Sequence, residues 1–126
     1  MAHVLIVGVG GFIGSILRYW LSGLAQRWVQ DAFPAGTLLV NVLGCFLLGS
    51  VMCLVEYREF FGSEARLFVT IGLLGGFTTF SSFGYETFAL LRTGEHGYAA
   101  LSVAANLLVG TAAVAVGWIA AKAIGV

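Results

Sequence analysis

Between Leu67 and Leu91 the chain is apolar enough to cross a membrane, yet inside that run lies Gly72-Leu-Leu-Gly-Gly-Phe-Thr-Thr-Phe-Ser-Ser-Phe-Gly-Tyr-Glu86. Its adjacent glycines, Gly75 and Gly76, weaken helix propensity, and the hydroxyls of Thr78, Thr79, Ser81 and Ser82 compete for local backbone groups. The stretch predicts a break in a membrane helix. Bare carbonyls and amides facing lipid are too costly, so non-helical backbone at membrane depth survives only inside protein or beside a polar cavity. A break therefore marks a site.

The rest of the chain supports a membrane setting. Of 126 residues, 60% are hydrophobic and 10% charged, which exceeds what a soluble domain of this size can hide. A span needs roughly 20 apolar residues, so there is room for about four and short loops, with no separate soluble domain. The predicted fold is one all-α integral membrane domain over residues 1–126. Its spans lie near 2–25, 36–55, 67–91 and 98–124, and the third is broken mid-membrane. A formal net charge of +0 gives no basic surface for nucleic acid. The N-terminus lacks the Lys/Arg that opens a secretory signal, so the first span is expected to be retained.

The first span opens Val4-Leu-Ile-Val-Gly8-Val-Gly-Gly11-Phe-Ile-Gly14, which imitates a strand and a dinucleotide-binding turn. That motif needs a soluble crossover unit and a second strand with an acidic residue, and this chain stays apolar to its end. Gly10 and Gly14 instead have the G-x-x-x-G spacing that lets helices approach closely. Arg18 falls in the same span and costs several kcal/mol, about 2.5–3.5 at the bilayer centre, unless it snorkels or faces protein or water. It is either an interfacial residue beside Tyr19 and Trp20 or a cation at the mouth of an anion path.

A loop from Gln26 to Ala35 follows, then a second span in which Thr37 and Asn41 share a face. Asn41 is either interhelical glue or an N–H donor to an anion. Cys45 and Cys53 stand eight positions, or about 12 Å, apart on that helix, too far for a disulfide, and read as packing residues. A charged stretch from Glu56 to Arg66 is expected to be a solvated loop. In the third span Phe77, Phe80 and Phe83 recur every three residues, while Thr79, Ser82 and Glu86 form a polar face. An aromatic stripe is commonly packing; beside a break it also suits an ion path. After the turn at Thr93–Gly97, the fourth span carries Asn106 and Thr111, with Gly110 and Gly117 as contact residues. The spans hold no nucleophile–base set, metal-ligand cluster or carboxylate pair, so an enzyme is not expected.

Lys/Arg placement normally sets orientation. Four spans would put Arg58, Arg66 and Lys122 on one side and Arg27, Arg92 and, if it snorkels outward, Arg18 on the other, 3 against 3. Such balance permits insertion both ways and an antiparallel homodimer with its axis in the membrane plane. Two broken third helices could then cross and share one cation; Na⁺, which takes oxygen ligands, suits that place.

The run Gly75-Gly76-Phe77-Thr78-Thr79-Phe80-Ser81-Ser82-Phe83, with Glu86 beyond it, resembles the Fluc (CrcB) family of fluoride channels. The likeness extends to Gly10-Gly11-x-x-Gly14 with Arg18, to Pro34-x-Gly36-Thr37-Leu38 with Asn41, and to Asn106-Leu107-Leu108. It implies a dual-topology homodimer in the plasma (inner) membrane, conducting fluoride passively out of the cytoplasm through two pores and relieving fluoride toxicity. It further implies that the carbonyls of Gly75 and Thr78 bind a structural Na⁺, and that Asn41, Phe80 and Phe83 line the fluoride path. Thr37, Ser81 and Ser82 would supply hydroxyls along it, Arg18 an electropositive vestibule, and Glu86 and Asn106 polar support. Gly84 and Tyr85 depart from the family's usual serine and aliphatic residue. The competing function is a small dual-topology, proton-coupled multidrug exporter, for which Glu86 is the one candidate carboxylate.

Overall fold

The computed structural model describes residues 1–58 and 62–125, which form helices long and apolar enough to make four membrane crossings. Helix α1 is Ala2–Trp28 and α2 is Ala35–Arg58. The third crossing, Ser63–Arg92, divides into α3 (residues 63–77) and α4 (Phe80–Arg92), and α5 is the fourth, His96–Ile124. Large apolar side chains such as Phe12, Leu108 and Ile119 point outward, as a lipid environment allows. The chain is a multi-pass membrane protein.

The helices run past the limits read from the sequence. The expected loops lose residues at Gln26–Trp28, which complete α1, and at Glu56–Arg58, which complete α2. The chain is helical again from Ser63 to Arg66, so the expected solvated loop is shorter than its charge suggested. The part of that loop at Glu59 lies outside the described residues. Polar residues at an interface extend a helix as readily as they end it, because water there satisfies either arrangement.

Small residues set the helix contacts. A Cβ on Gly10 would come within 2.8 Å of the Phe68 carbonyl, and one on Gly14 within 2.9 Å of the Phe77 amide, so this face of α1 lies against the backbone of α3. Gly49 and Gly117 seat α2 on α5 in the same manner, facing Val114 and Phe46, while Gly110 meets only the Cys45 sulfur at 3.7 Å. Cys45 and Cys53 are free thiols, and Cys53 is fully buried.

At one end, Gln26 ties the first loop together. Its Nε2 donates to the carbonyls of Val29, Asp31 and Phe33, and its Oε1 accepts from the Gly36 amide. The Tyr98 hydroxyl donates to Asp31, and Phe33 lies 5.9 Å from the Tyr98 ring, which joins this loop to the start of α5. Two stretches, Leu67–Leu74 in α3 and Ala105–Val109 in α5, wind as π-helix, a widened turn that often accompanies functional sites.

Candidate functional site

The interruption falls at Thr78 and Thr79. Both are extended, with φ/ψ of −87/160° and −151/114°, whereas Gly75 remains helical at −63/−37°. The glycine pair thus lies just before the break and does not form it. Gly76 serves a close approach instead: a Cβ there would lie 2.6 Å from the Gly11 carbonyl. Gly75 faces outward with only Thr70 near it, at 3.8 Å.

Side chains from two other helices meet the opened backbone, and a third helix supports one of them. Asn41 on α2 grips Thr79 at two points, its Oδ1 accepting from the Thr79 amide at 2.8 Å and its Nδ2 donating to the Thr79 carbonyl at 3.1 Å. The same Nδ2 donates to Asn106 Oδ1 on α5 at 2.9 Å, and Asn106 in turn donates to the Ser102 carbonyl at 2.9 Å. Half-buried Arg18 turns inward from α1, its Nη1 standing 3.5 Å from the Thr78 carbonyl, the outer limit of a hydrogen bond.

Thr79 restarts the helix. It is the N-cap of α4, its Oγ1 accepting from the Ser82 amide at 3.2 Å and donating to Ser82 Oγ at 3.0 Å. Ser81 Oγ lies 3.4 Å from the same hydroxyl. Further along α4, Thr37 donates to Glu86 Oε1 at 2.8 Å, while the other carboxylate oxygen is buried without a partner among the described residues. Gly84 and Tyr85, where the chain departs from the expected pattern, face outward and leave α4 continuous.

A groove of about 290 Å³ opens beside the break, and Asn41, Thr78, Phe80, Phe83 and Asn106 are among the residues that line it. Phe80 and Phe83 meet edge to face, with centroids 5.4 Å apart and planes at 60°. Phe83 is buried at 8% exposure, but Phe80 stands 78% exposed. The site therefore unites Asn41, Asn106, Arg18, Thr78, Phe80, Phe83, Ser81 and Ser82 around one interruption, with Glu86 farther along α4 paired to Thr37 of α2.

Because the Thr79 amide turns to Asn41, the Gly75 carbonyl loses its donor four residues on. It belongs to an exposed residue and is a hard oxygen ligand of the class that suits Na⁺, whereas the Thr78 carbonyl stands 3.5 Å from the Arg18 guanidinium. Among the described residues, no group of three His, Cys, Asp or Glu side chains gathers to hold a metal ion. The two-point grip of Asn41 and the π-helical turn around Asn106 were not read from the sequence. The residues concerned stand 38 and 65 positions apart, and no local signal links them.

Four membrane crossings, one of them opened beside a groove that Asn41, Asn106 and two phenylalanines help to line, define a multi-pass membrane protein with its candidate site inside the spans. Residues 5–118 match the family described as "CrcB-like protein, Camphor Resistance (CrcB)", and the chain belongs to that family. It is 48% identical over 124 residues to fluoride-specific ion channel FluC 1 of Methanosarcina acetivorans, covering 96% of this chain and 92% of that one. It is also 48% identical to the fluoride-specific ion channel FluC of Thermus thermophilus, over 87% of each chain. Its identity to the FluC of Geobacter sulfurreducens is 47%, over 88% of this chain and 92% of the relative.

Proposed function

We propose that this protein is a fluoride channel that lets the ion leave the cytoplasm passively through the plasma membrane. The observation that carries the reading is the opened backbone at Thr78–Thr79 beside the Phe80–Phe83 pair, in a chain nearly half identical to proteins named fluoride-specific channels. Phenyl edges carry partial positive charge and attract an anion where the ring faces would not. Fluoride holds its water strongly, so its path needs close donors, and the hydroxyls of Ser81 and Ser82 are candidates, as is that of Thr37 on releasing Glu86 Oε1. Both N–H groups of Asn41 already have acceptors, so fluoride passing Asn41 takes the place of the Thr79 carbonyl or of Asn106 Oδ1. Inward-turned Arg18 adds positive charge at the approach.

The working form is an antiparallel homodimer with two pores. In support, Gly75 and Phe80 stand exposed beside the groove, and the Lys/Arg residues toward the ends of the crossings are near balance, Arg58, Arg66 and Lys122 against Arg27 and Arg92, with Arg18 turned inward. A partner copy would cover both residues. Where the two third crossings meet, carbonyls of Gly75 and Thr78 from each chain hold one Na⁺, which replaces the donors lost at the break. The proton-coupled exporter is not favoured by the family, and Glu86 is engaged with Thr37.

The test is efflux from liposomes holding purified protein, with potassium permeability supplied by an ionophore. Fluoride should leave rapidly with chloride retained, at a rate independent of any pH gradient. Fluoride held as in protein-free vesicles refutes the channel, and flux driven only by a proton gradient favours the exporter.

A further inference from the structure

We infer that Arg18 weakens the hold of the break on its cation, because guanidinium and ion draw on one oxygen, the Thr78 carbonyl; the inference rests on the Na⁺ site proposed for Gly75 and Thr78. In a continuous helix that carbonyl would accept from the amide of Ser82, four residues on. Here the Ser82 amide donates to the Thr79 hydroxyl instead, at 3.2 Å. Arg18 Nη1, at 3.5 Å, is the one donor that the described residues bring to the Thr78 carbonyl. The fold keeps it there. A Cβ on Gly14 would come within 2.9 Å of the Phe77 amide, so α1 touches α3 one turn before Arg18 and brings position 18 up to the opening. Arginine does not lose its charge in a protein, and a half-buried charge inside a membrane crossing needs an acceptor. The Thr78 carbonyl is the one acceptor its side chain has among the described residues.

An ion on the same oxygen would meet the guanidinium across a single atom. Like charges that close repel, and in a half-buried setting water and salt screen them little. Removal of Arg18 ends the repulsion and also leaves the Thr78 carbonyl without a donor, so Na⁺ gains an oxygen that nothing else engages. Both effects act in one direction, toward tighter binding. A role confined to snorkelling or to attracting anions would leave cation binding as it is.

The test is the Na⁺ dependence of thermal unfolding in mixed micelles, at fixed protein concentration, with N-methylglucamine replacing Na⁺ at constant ionic strength. The native midpoint should begin to climb where Na⁺ passes its dissociation constant. In Arg18→Gln the climb should begin at about one-tenth of that concentration, and in Arg18→Lys, which keeps the charge on a different head group, between the two. A climb that begins at the native concentration or above it in Arg18→Gln, with the native protein responsive, overturns this inference alone. A native midpoint indifferent to Na⁺ removes the cation site and the inference with it, while fluoride efflux, measured separately, judges the channel. If Arg18→Gln does not fold, Arg18→Met, which keeps an unbranched stem without the charge, takes its place with the same expected direction.

Discussion

Gly8 and Gly10 stand two residues apart on α1, and alanine at each should have opposite consequences. Gly8 is exposed, and a Cβ there meets nothing within 4 Å. Gly10 is buried, and its Cβ would fall 2.8 Å from the Phe68 carbonyl and 2.9 Å from both Gly72 Cα and the Leu73 amide nitrogen. All three are backbone atoms, so no side chain can swing away, and α1 must separate from α3 by several tenths of an ångström. Both substitutions gain the same helix propensity, about 1 kcal/mol over glycine, so this contribution cancels between them. What remains is the overpacking penalty, ~1–3 kcal/mol against Gly10→Ala. Equilibrium unfolding in mixed micelles measures the difference directly: Gly8→Ala should match or exceed the native protein, and Gly10→Ala should fall below both. Equal midpoints for the two variants would refute the packing of α1 on α3.

Phe80→Ile and Phe83→Ile should each reduce fluoride efflux about tenfold, or ~1.4 kcal/mol, while the protein still purifies folded; undiminished efflux in both would remove the ring-edge path. Thr79→Val deletes the N-cap of α4 and should cost ~1 kcal/mol of stability, read by unfolding in micelles; an unchanged midpoint would mean that Asn41 alone restarts the helix. In the first loop, hydrogen bonds from the Tyr98 hydroxyl and the Ala32 amide hold the Asp31 carboxyl below its ordinary value of 3.8. Its folded value lies below its unfolded one, so the contact contributes at any pH above the unfolded value and disappears as pH falls through the folded one. Side-chain NMR titration should place the Asp31 midpoint under 3.8, and Tyr98→Phe should raise it.

The four crossings were legible because the charged residues, Arg18 and Glu86 apart, collect at or near the ends of the apolar runs. The presence of a break was legible as well, since Thr78, Thr79, Ser81 and Ser82 crowd hydroxyls into one segment. Its position was less so. Adjacent glycines lower the cost of a bend, but they equally allow one helix to lie against another, and Gly76 does the latter against Gly11. Which use prevails depends on a helix some 60 residues away. Asn41 reads from the sequence as interhelical glue or an anion donor, yet its partner, the Thr79 backbone, has no side-chain signature. The π-helical turn at Asn106 is opaque for the same reason: residues 105–109 read as ordinary apolar helix, and the extra residue in the turn is a product of packing.

Two extended residues, Thr78 and Thr79, separate the two halves of the third crossing, and Asn41 holds the second of them. Solid-state NMR of the protein in lipid bilayers reports backbone conformation at each threonine through its Cα and Cβ shifts. Extended shifts at Thr78 and Thr79, between helical values at Phe77 and Phe80, with a Thr79 amide protected from exchange by Asn41, are the predicted result. Helical shifts running unbroken from Gly75 to Phe83 would contradict it.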